Sequence, residues 1–169
     1  EESDVYLDFN LMRDAYILDM LYKELSDKGY TNGYITAKNG LYRALNAYSG
    51  GEYCMYTNNG AIEKYKTVAV TPDSCCNMFR SFPIAKGEMG YYTITADGKT
   101  YLRHPKTNLT EDGYNNLLQS SMVVSYESAA DAVFYTCRLL AASEQGEIEA
   151  IETEFKKAEK NEMYYALFK

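Results

Sequence analysis

Residues 10–29 read N-L-M-R-D-A-Y-I-L-D-M-L-Y-K-E-L-S-D-K-G, and this stretch decides how the chain begins to fold. Apolar side chains recur in it at steps of three or four residues, the spacing of one face of an α-helix. They are Leu11, Ala15, Leu18, Tyr22 and Leu25. Gly29 ends the pattern, as glycine does after many helices. We therefore predict a helix over 11–28 that buries this face, with an earlier start near Val5 or a short strand over 4–10 as alternatives.

Two turns further along the chain each join a pair of segments with strand character. Asn-Gly and Asp-Gly supply the positive φ that tight β-turns require, so each pair predicts an antiparallel hairpin. The hairpins are 52–57 with 61–71 around Asn58-Asn59-Gly60, and 90–95 with 99–104 around Asp97-Gly98.

Shorter patterns predict the remaining elements. They are a helix over 41–48, a helical turn after Pro72 that carries Cys75 and Cys76, a helix over 110–118, a strand over 122–126, a helix after Ser128, a final helix over 148–158 and an apolar tail over 163–168 that must pack somewhere. The predicted fold class is α+β: a single domain over 1–169, with an antiparallel sheet packed against an N-terminal helix and C-terminal helices.

The charge balance narrows the classes of partner. The 169 residues include 24 acidic and 17 basic side chains, which gives a formal net charge of −7. A negative field repels phosphate, so nucleic acid and anionic membranes are disfavoured as partners. Tyrosine contributes 18 residues and tryptophan none, a bias that fits either strand positions or a surface that recognises a partner or small ligand.

Two features of the sequence bear on whether the protein is attached to a membrane. No run of apolar residues is long enough to cross a bilayer, and the first residue is Glu1, not Met. We expect a mature or trimmed chain, attached to a membrane only through segments that this sequence does not contain.

The four cysteines, Cys54, Cys75, Cys76 and Cys137, allow three pairings. A bond between the neighbours Cys75 and Cys76 would be strained, which leaves Cys54 bonded to one of them and Cys137 to the other. Two such bridges would place the protein in an extracytoplasmic compartment: the periplasm, the cell surface or the exterior. Buried free thiols are the main alternative. A zinc site lacks C-x-x-C spacing, and a catalytic cysteine would depend on His104.

The sequence lacks the common signatures of catalysis. G-x-G-x-x-G, G-x-x-x-x-G-K, G-x-S-x-G and H-E-x-x-H are all absent. The single histidine, His104, excludes multi-histidine metal sites. The glutamates of 144–154 are expected on a solvated helix face. We therefore predict a non-enzymatic protein without a cofactor or a metal.

Residues 90–105, G-Y-Y-T-I-T-A-D-G-K-T-Y-L-R-H-P, resemble the central hairpin of Cache-type extracytoplasmic sensor domains. Those hairpins show a G-Y strand, a D-G turn, a second strand and then H-P. The resemblance implies a long N-terminal helix, a sheet whose concave face holds a small ligand, and a terminal helix that returns to the membrane. An N-terminal helix on an antiparallel sheet with cysteine-stapled loops also fits a pilin-like subunit.

Four residues of this hairpin are candidates for ligand binding: Tyr92, Tyr101, Arg103 and His104. Alternate residues of a strand share a face, so Tyr101 and Arg103 should point the same way. An aromatic ring beside a guanidinium suits a carboxylate ligand. The face of Tyr92 depends on the register, and a solvated outer face with Arg103 paired to a glutamate is the alternative.

Two functions follow as hypotheses. The first is a non-enzymatic extracytoplasmic domain that binds a small molecule, as a sensor does. The second is a secreted or surface-displayed interaction subunit, such as a pilin-like filament subunit, an adhesin or an acidic inhibitor. The expected partner is thus a small-molecule ligand or another protein, and a homo-oligomer is compatible with both.

Overall fold

The computed structural model describes residues 10–37, 40–58, 62–80, 92–96, 98–103, 120–145, 149, 153 and 164–168. The helices and strands of these residues are, in chain order, α1 Asn10–Asp27, β1 Tyr34–Ala37, β2 Leu41–Ala44, β3 Glu52–Asn58, β4 Ile62–Ala69, β5 Cys75–Arg80, β6 Tyr92–Ala96, β7 Lys99–Arg103, β8 Ser120–Ser125, α2 Ala129–Gln145 and β9 Tyr164–Phe168.

Five strands form one antiparallel sheet in the order β1-β2-β5-β8-β9. The pairs β3–β4 and β6–β7 are separate two-stranded antiparallel sheets, as the two turn motifs predict. The predicted α+β class, an antiparallel sheet with an N-terminal helix and a helix toward the C-terminus, is confirmed.

Both helices pack on the same face of the five-stranded sheet. Ala15 and Leu18 of α1 are buried there, and so are Ala129, Ala132 and Val133 of α2. The sheet contributes Leu41 and Cys75 to this cluster. The predicted inner face of α1 is therefore confirmed at Ala15 and Leu18, whereas Leu25 is half-buried and the side chain of Leu11 is not described.

The β3–β4 hairpin covers the opposite face of the sheet. Tyr53 and Met55 of β3 pack against Cys76 of β5 and against Met122 and Val124 of β8. Successive residues of a strand point to opposite faces, so the central strands are apolar on both sides. The two helices, the five-stranded sheet and the β3–β4 hairpin thus form three layers.

The helix predicted over 41–48 is wrong, because this segment begins with strand β2. Leu41 and Arg43 lie on the helix face of the sheet, and Tyr42 packs on the hairpin face. β2 is paired on both sides, with β1 and with β5, and this pairing overrides the helical spacing. Gly40 enters the strand at φ 73°, where a Cβ would overlap the carbonyl oxygen of Met78.

The helical turn predicted to carry Cys75 and Cys76 is also wrong. Ser74 closes a turn by donating its amide hydrogen to the oxygen of Thr71 at 3.1 Å, and Asp73 adopts a left-handed φ of 62°. Cys75 and Cys76 then open the central strand β5. Their side chains alternate between the two apolar layers, one facing the helices and the other the hairpin.

The later predictions differ in outcome. The strand over 122–126 and the helix after Ser128 are confirmed, and the hydroxyl of Ser128 accepts the amide of Asp131 at 2.9 Å as an N-cap. The apolar tail forms edge strand β9, paired with β8. The helix over 110–118 and most of the helix over 148–158 lie outside the described residues.

Candidate functional site

A buried polar group fixes α1 on the sheet. The carboxylate of Asp19 forms an ion pair with the guanidinium of Arg43 on β2, and only 7% of the Arg43 side chain is exposed. Asp19 also accepts the amides of Ala129 and Ala130 at 2.8 and 3.0 Å. These are the first amides of α2, whose positive dipole end favours a carboxylate. One acidic side chain thus joins both helices to β2.

Arg43 makes two further contacts. Its Nη2 donates to the carbonyl oxygen of Glu127 at 3.3 Å, and its guanidinium carbon lies 3.8 Å from the centre of the Tyr22 ring. The Tyr22 hydroxyl in turn donates to Asp73 at 2.5 Å. Burial is the main cause that raises the pKa of Tyr22, and the hydrogen bond to Asp73 raises it further. We call Asp19, Tyr22, Arg43 and Asp73 the Asp19–Arg43 cluster.

The Asp19–Arg43 cluster is a structural site and not a vacant binding site. Nη1 and Nη2 of Arg43 are engaged by Asp19 and by a carbonyl oxygen, while the buried Nε has no hydrogen-bond partner among the described residues. An exogenous anion that bound the two Nη atoms would have to displace a fixed carboxylate. The cluster holds α1 in a fixed orientation relative to β2 and α2. That orientation determines which residues of α1 face solvent.

The solvent face of α1 is unusually apolar. Its four large apolar side chains are exposed by 64% at Tyr16, 45% at Ile17, 56% at Met20 and 41% at Leu21. They occupy two adjacent rows of the helix, because residues four apart lie on one row. We call these four residues the outer stripe. Large contiguous apolar patches on soluble proteins often mark a surface to which another molecule binds.

Charged residues lie at both ends of the outer stripe. Arg13 precedes it and approaches Asp14 at 3.5 Å, with 69% of the Arg13 side chain exposed. Glu24 follows it and accepts from Lys28 at 2.7 Å, with both side chains 61% exposed. Such exposed pairs contribute little stability, so these charges can exchange partners at small cost.

The outer stripe is not among the features predicted from the sequence. The signal was a second apolar set at positions 16, 17, 20 and 21 of the same helix. A helix with two apolar faces needs a second contact besides the core.

The hairpin with the predicted ligand residues is present as β6–β7. The register pairs Tyr92 with Arg103 and Ile94 with Tyr101. Directly paired residues share a face, so positions 92, 101 and 103 lie on one face of the hairpin. The structure thus fixes the register on which the place of Tyr92 depended. Their side-chain contacts and all of His104 lie outside the described residues.

The structure does not support the predicted disulfides, since all four cysteines are free thiols. Cys75 and Cys76 lie in different layers of the core. Cys54 lies between Tyr53 and Met55, which face the sheet, so it points away from Cys76. Cys137 packs partly buried beside the cluster that contains Cys75. Burial raises the pKa of Cys75 to about 12 and that of Cys137 to about 11.

Across the described ranges, no group of His, Cys, Asp and Glu is arranged to hold a metal ion. Neither described helix is long and apolar enough to span a bilayer.

No protein-family model matches this chain, and no curated protein and no solved structure matches it either.

Proposed function

We propose that this protein is a non-enzymatic interaction subunit that binds another protein through the outer stripe of α1. The observation that carries the proposal is the exposure of four large apolar side chains side by side on one helix. Removing such side chains from water contributes roughly 25 cal/mol per Å² of apolar area. Covering the stripe with a partner should therefore make the complex more stable than the two separate molecules.

The anchoring of α1 to the sheet and to α2 supports the same proposal. Leu18 is buried on the inner side of the helix, and Asp19 is held by Arg43 and by two amides of α2. A surface that is already ordered loses little conformational entropy when a partner binds. The outer stripe is thus preorganised for docking.

The filling of the sheet's other face also favours a protein partner. The Cache resemblance implies a ligand on an open, concave face of the sheet. Over β5 and β8 that face is instead packed by Tyr53 and Met55 of the β3–β4 hairpin.

Site-specific photo-crosslinking in cells that produce the protein tests this function. A photoreactive residue replaces Met20 in the full chain, and a matched control places it at Thr36, an exposed residue of β1. A discrete protein adduct at position 20 that is missing at position 36 is the expected result. If neither position gives an adduct, the interaction function is overturned.

A small-ligand site on the β6–β7 hairpin is a second candidate function, within an extracytoplasmic sensor-like domain. The register favours it, because it brings positions 92, 101 and 103 to one face. An arginine beside tyrosines suits a carboxylate.

Thermal-shift screening against amino acids and small organic acids tests this second candidate. A ligand that binds the native state raises the melting temperature. The rise should vanish in Arg103→Ala and persist in Thr100→Ala, at a position on the opposite face of β7. A rise that survives Arg103→Ala would locate the ligand elsewhere.

A further inference from the structure

We propose that the partner of the outer stripe is α1 of a second copy of this chain, packed antiparallel across a two-fold axis. This inference rests on the proposed interaction function and names its partner. It is carried by the arrangement of charged and apolar residues along the exposed face of α1.

The outer stripe and its two flanking charges are arranged symmetrically about the middle of α1. The residue at one end, Arg13, is positive, and the residue at the other end, Glu24, is negative. Arg13 and Glu24 are eleven positions apart (24 − 13), which is about three turns of 3.6 residues, so both lie on one line along the helix. The outer stripe straddles this line, with Tyr16 and Met20 on one side and Ile17 and Leu21 on the other.

An antiparallel second helix matches this pattern at the outer stripe and at the two charged residues that flank it. Arg13 and Glu24 are equidistant from a point between Leu18 and Asp19, so a two-fold axis there sets each Arg13 opposite the other copy's Glu24. The contact occurs twice, because a two-fold interface is isologous.

The same axis brings the apolar rows together. Tyr16 of one copy meets Met20 of the other, and Ile17 meets Leu21. A methionine sulfur beside an aromatic ring is a favourable contact, and the aliphatic pair is removed from water.

A parallel arrangement does not match. Side-by-side parallel helices would place Arg13 against the second copy's Arg13 and Glu24 against its Glu24, and like charges repel across an interface. The charge order therefore selects the antiparallel arrangement.

The size of the surface sets the expected strength. Four apolar side chains and two charge pairs bury less than the roughly 800 Å² per partner of a standard interface. The dimer should therefore be weak and reversible, and should depend on protein concentration.

Analytical ultracentrifugation of the full chain at low salt tests the proposal with charge reversals. R13E and E24R each place like charges opposite one another at both symmetric contacts, so each should weaken dimerisation on the order of tenfold. The double variant R13E/E24R restores opposite charges and should recover the parent dissociation constant. Both residues are solvent-exposed on the helix surface, and urea unfolding checks that each variant keeps the parent's stability.

Recovery in the double variant, together with loss of the dimer in Met20→Glu, supports the antiparallel pair. A dimer whose two charge reversals weaken it additively, without recovery, overturns this arrangement. A chain that stays monomeric at millimolar concentration overturns the second copy as partner. In that case an adduct from position 20 to a different protein still supports the interaction function, and no adduct at all overturns both.

Discussion

Asp19 and Arg43 form an ion pair between α1 and β2, and the Arg43 side chain is only 7% exposed. The same carboxylate accepts the amides of Ala129 and Ala130 at the start of α2. Three elements that are distant in sequence therefore meet at one side chain. The orientation of α1, and with it the exposure of the outer stripe, depends on this contact.

Removing the carboxylate should strongly destabilise the fold. Asp19→Ala leaves the buried guanidinium of Arg43 without a counter-charge and frees the two helix amides, which should lower the free energy of unfolding by about 3–5 kcal/mol. Urea unfolding measures it. Asp27→Ala, at an exposed position on the same helix, is the control and should change stability by less than about 0.5 kcal/mol. Equal losses in the two variants would contradict the role assigned to Asp19.

Two leucines of α1 separate its inner and outer faces. Leu18 is 3% exposed and Leu21 is 41% exposed. Leu18→Ala should cost about 2–5 kcal/mol of unfolding free energy through lost burial and the cavity that remains. Leu21→Ala, measured on the monomer at low concentration, should cost less than about 1 kcal/mol, because the side chain is already half in water. If Leu21→Ala were the more damaging change, the orientation assigned to α1 would be reversed.

The sequence predicted α1 and both hairpins, because each is indicated by a pattern within a few neighbouring residues. The 3.6-residue spacing of Ala15 and Leu18 indicated the inner face of α1, and glycine turns indicated both hairpins. β2 was mispredicted because Leu41, Ala44 and Leu45 have helical spacing, while the strand is stabilised by pairing with β1 and β5 on either side. Sequence spacing carries no information about such pairing.

The features that bear on function could not be predicted from the sequence, because they arise from contacts between residues that are distant along the chain. Asp19 and Ala129 are separated by 110 positions, so no motif predicts their hydrogen bond. The outer stripe was visible as apolar positions, but only the packing of the helix shows that these residues face solvent. The face of Tyr92 required the β6–β7 register, which the structure supplies.

Thiol reactivity tests the environment of the cysteines. Cys75 and Cys76 are fully buried, whereas Cys54 is partly exposed and its thiol points to the carbonyl oxygen of Glu52 at 3.6 Å. In native protein prepared without reductant, an alkylating reagent should modify Cys54 first and should reach Cys75 and Cys76 only after unfolding. Peptide mass mapping reads the order. A disulfide that involves Cys75 or Cys76 would contradict the free thiols and would favour an oxidising, extracytoplasmic compartment.

Stability should fall at alkaline pH. Burial raises the pKa of Cys75 to about 12 and that of Cys137 to about 11, against an ordinary value of 9.0. Above pH 9 the unfolded chain releases these protons while the folded chain keeps them, so the unfolded state binds fewer protons and unfolding becomes easier as pH rises. The stability that these thiols contribute is therefore complete below about pH 9 and is lost progressively up to their folded pKa values.

Urea unfolding between pH 7.5 and 10.5 measures this decline. Each thiol that ionises only in the unfolded state contributes a slope of about 1.4 kcal/mol per pH unit. Cys75→Ala should lower stability at pH 7.5 through lost packing, yet flatten the decline above pH 9 because one buried thiol is gone. Val123→Ala removes a fully buried side chain that does not titrate, so it should lower stability and leave the slope as in the parent. Equal pH slopes of the unfolding free energy in Cys75→Ala and Val123→Ala would show that the Cys75 thiol has its ordinary pKa in the folded state. Position 75 would then not be buried as described.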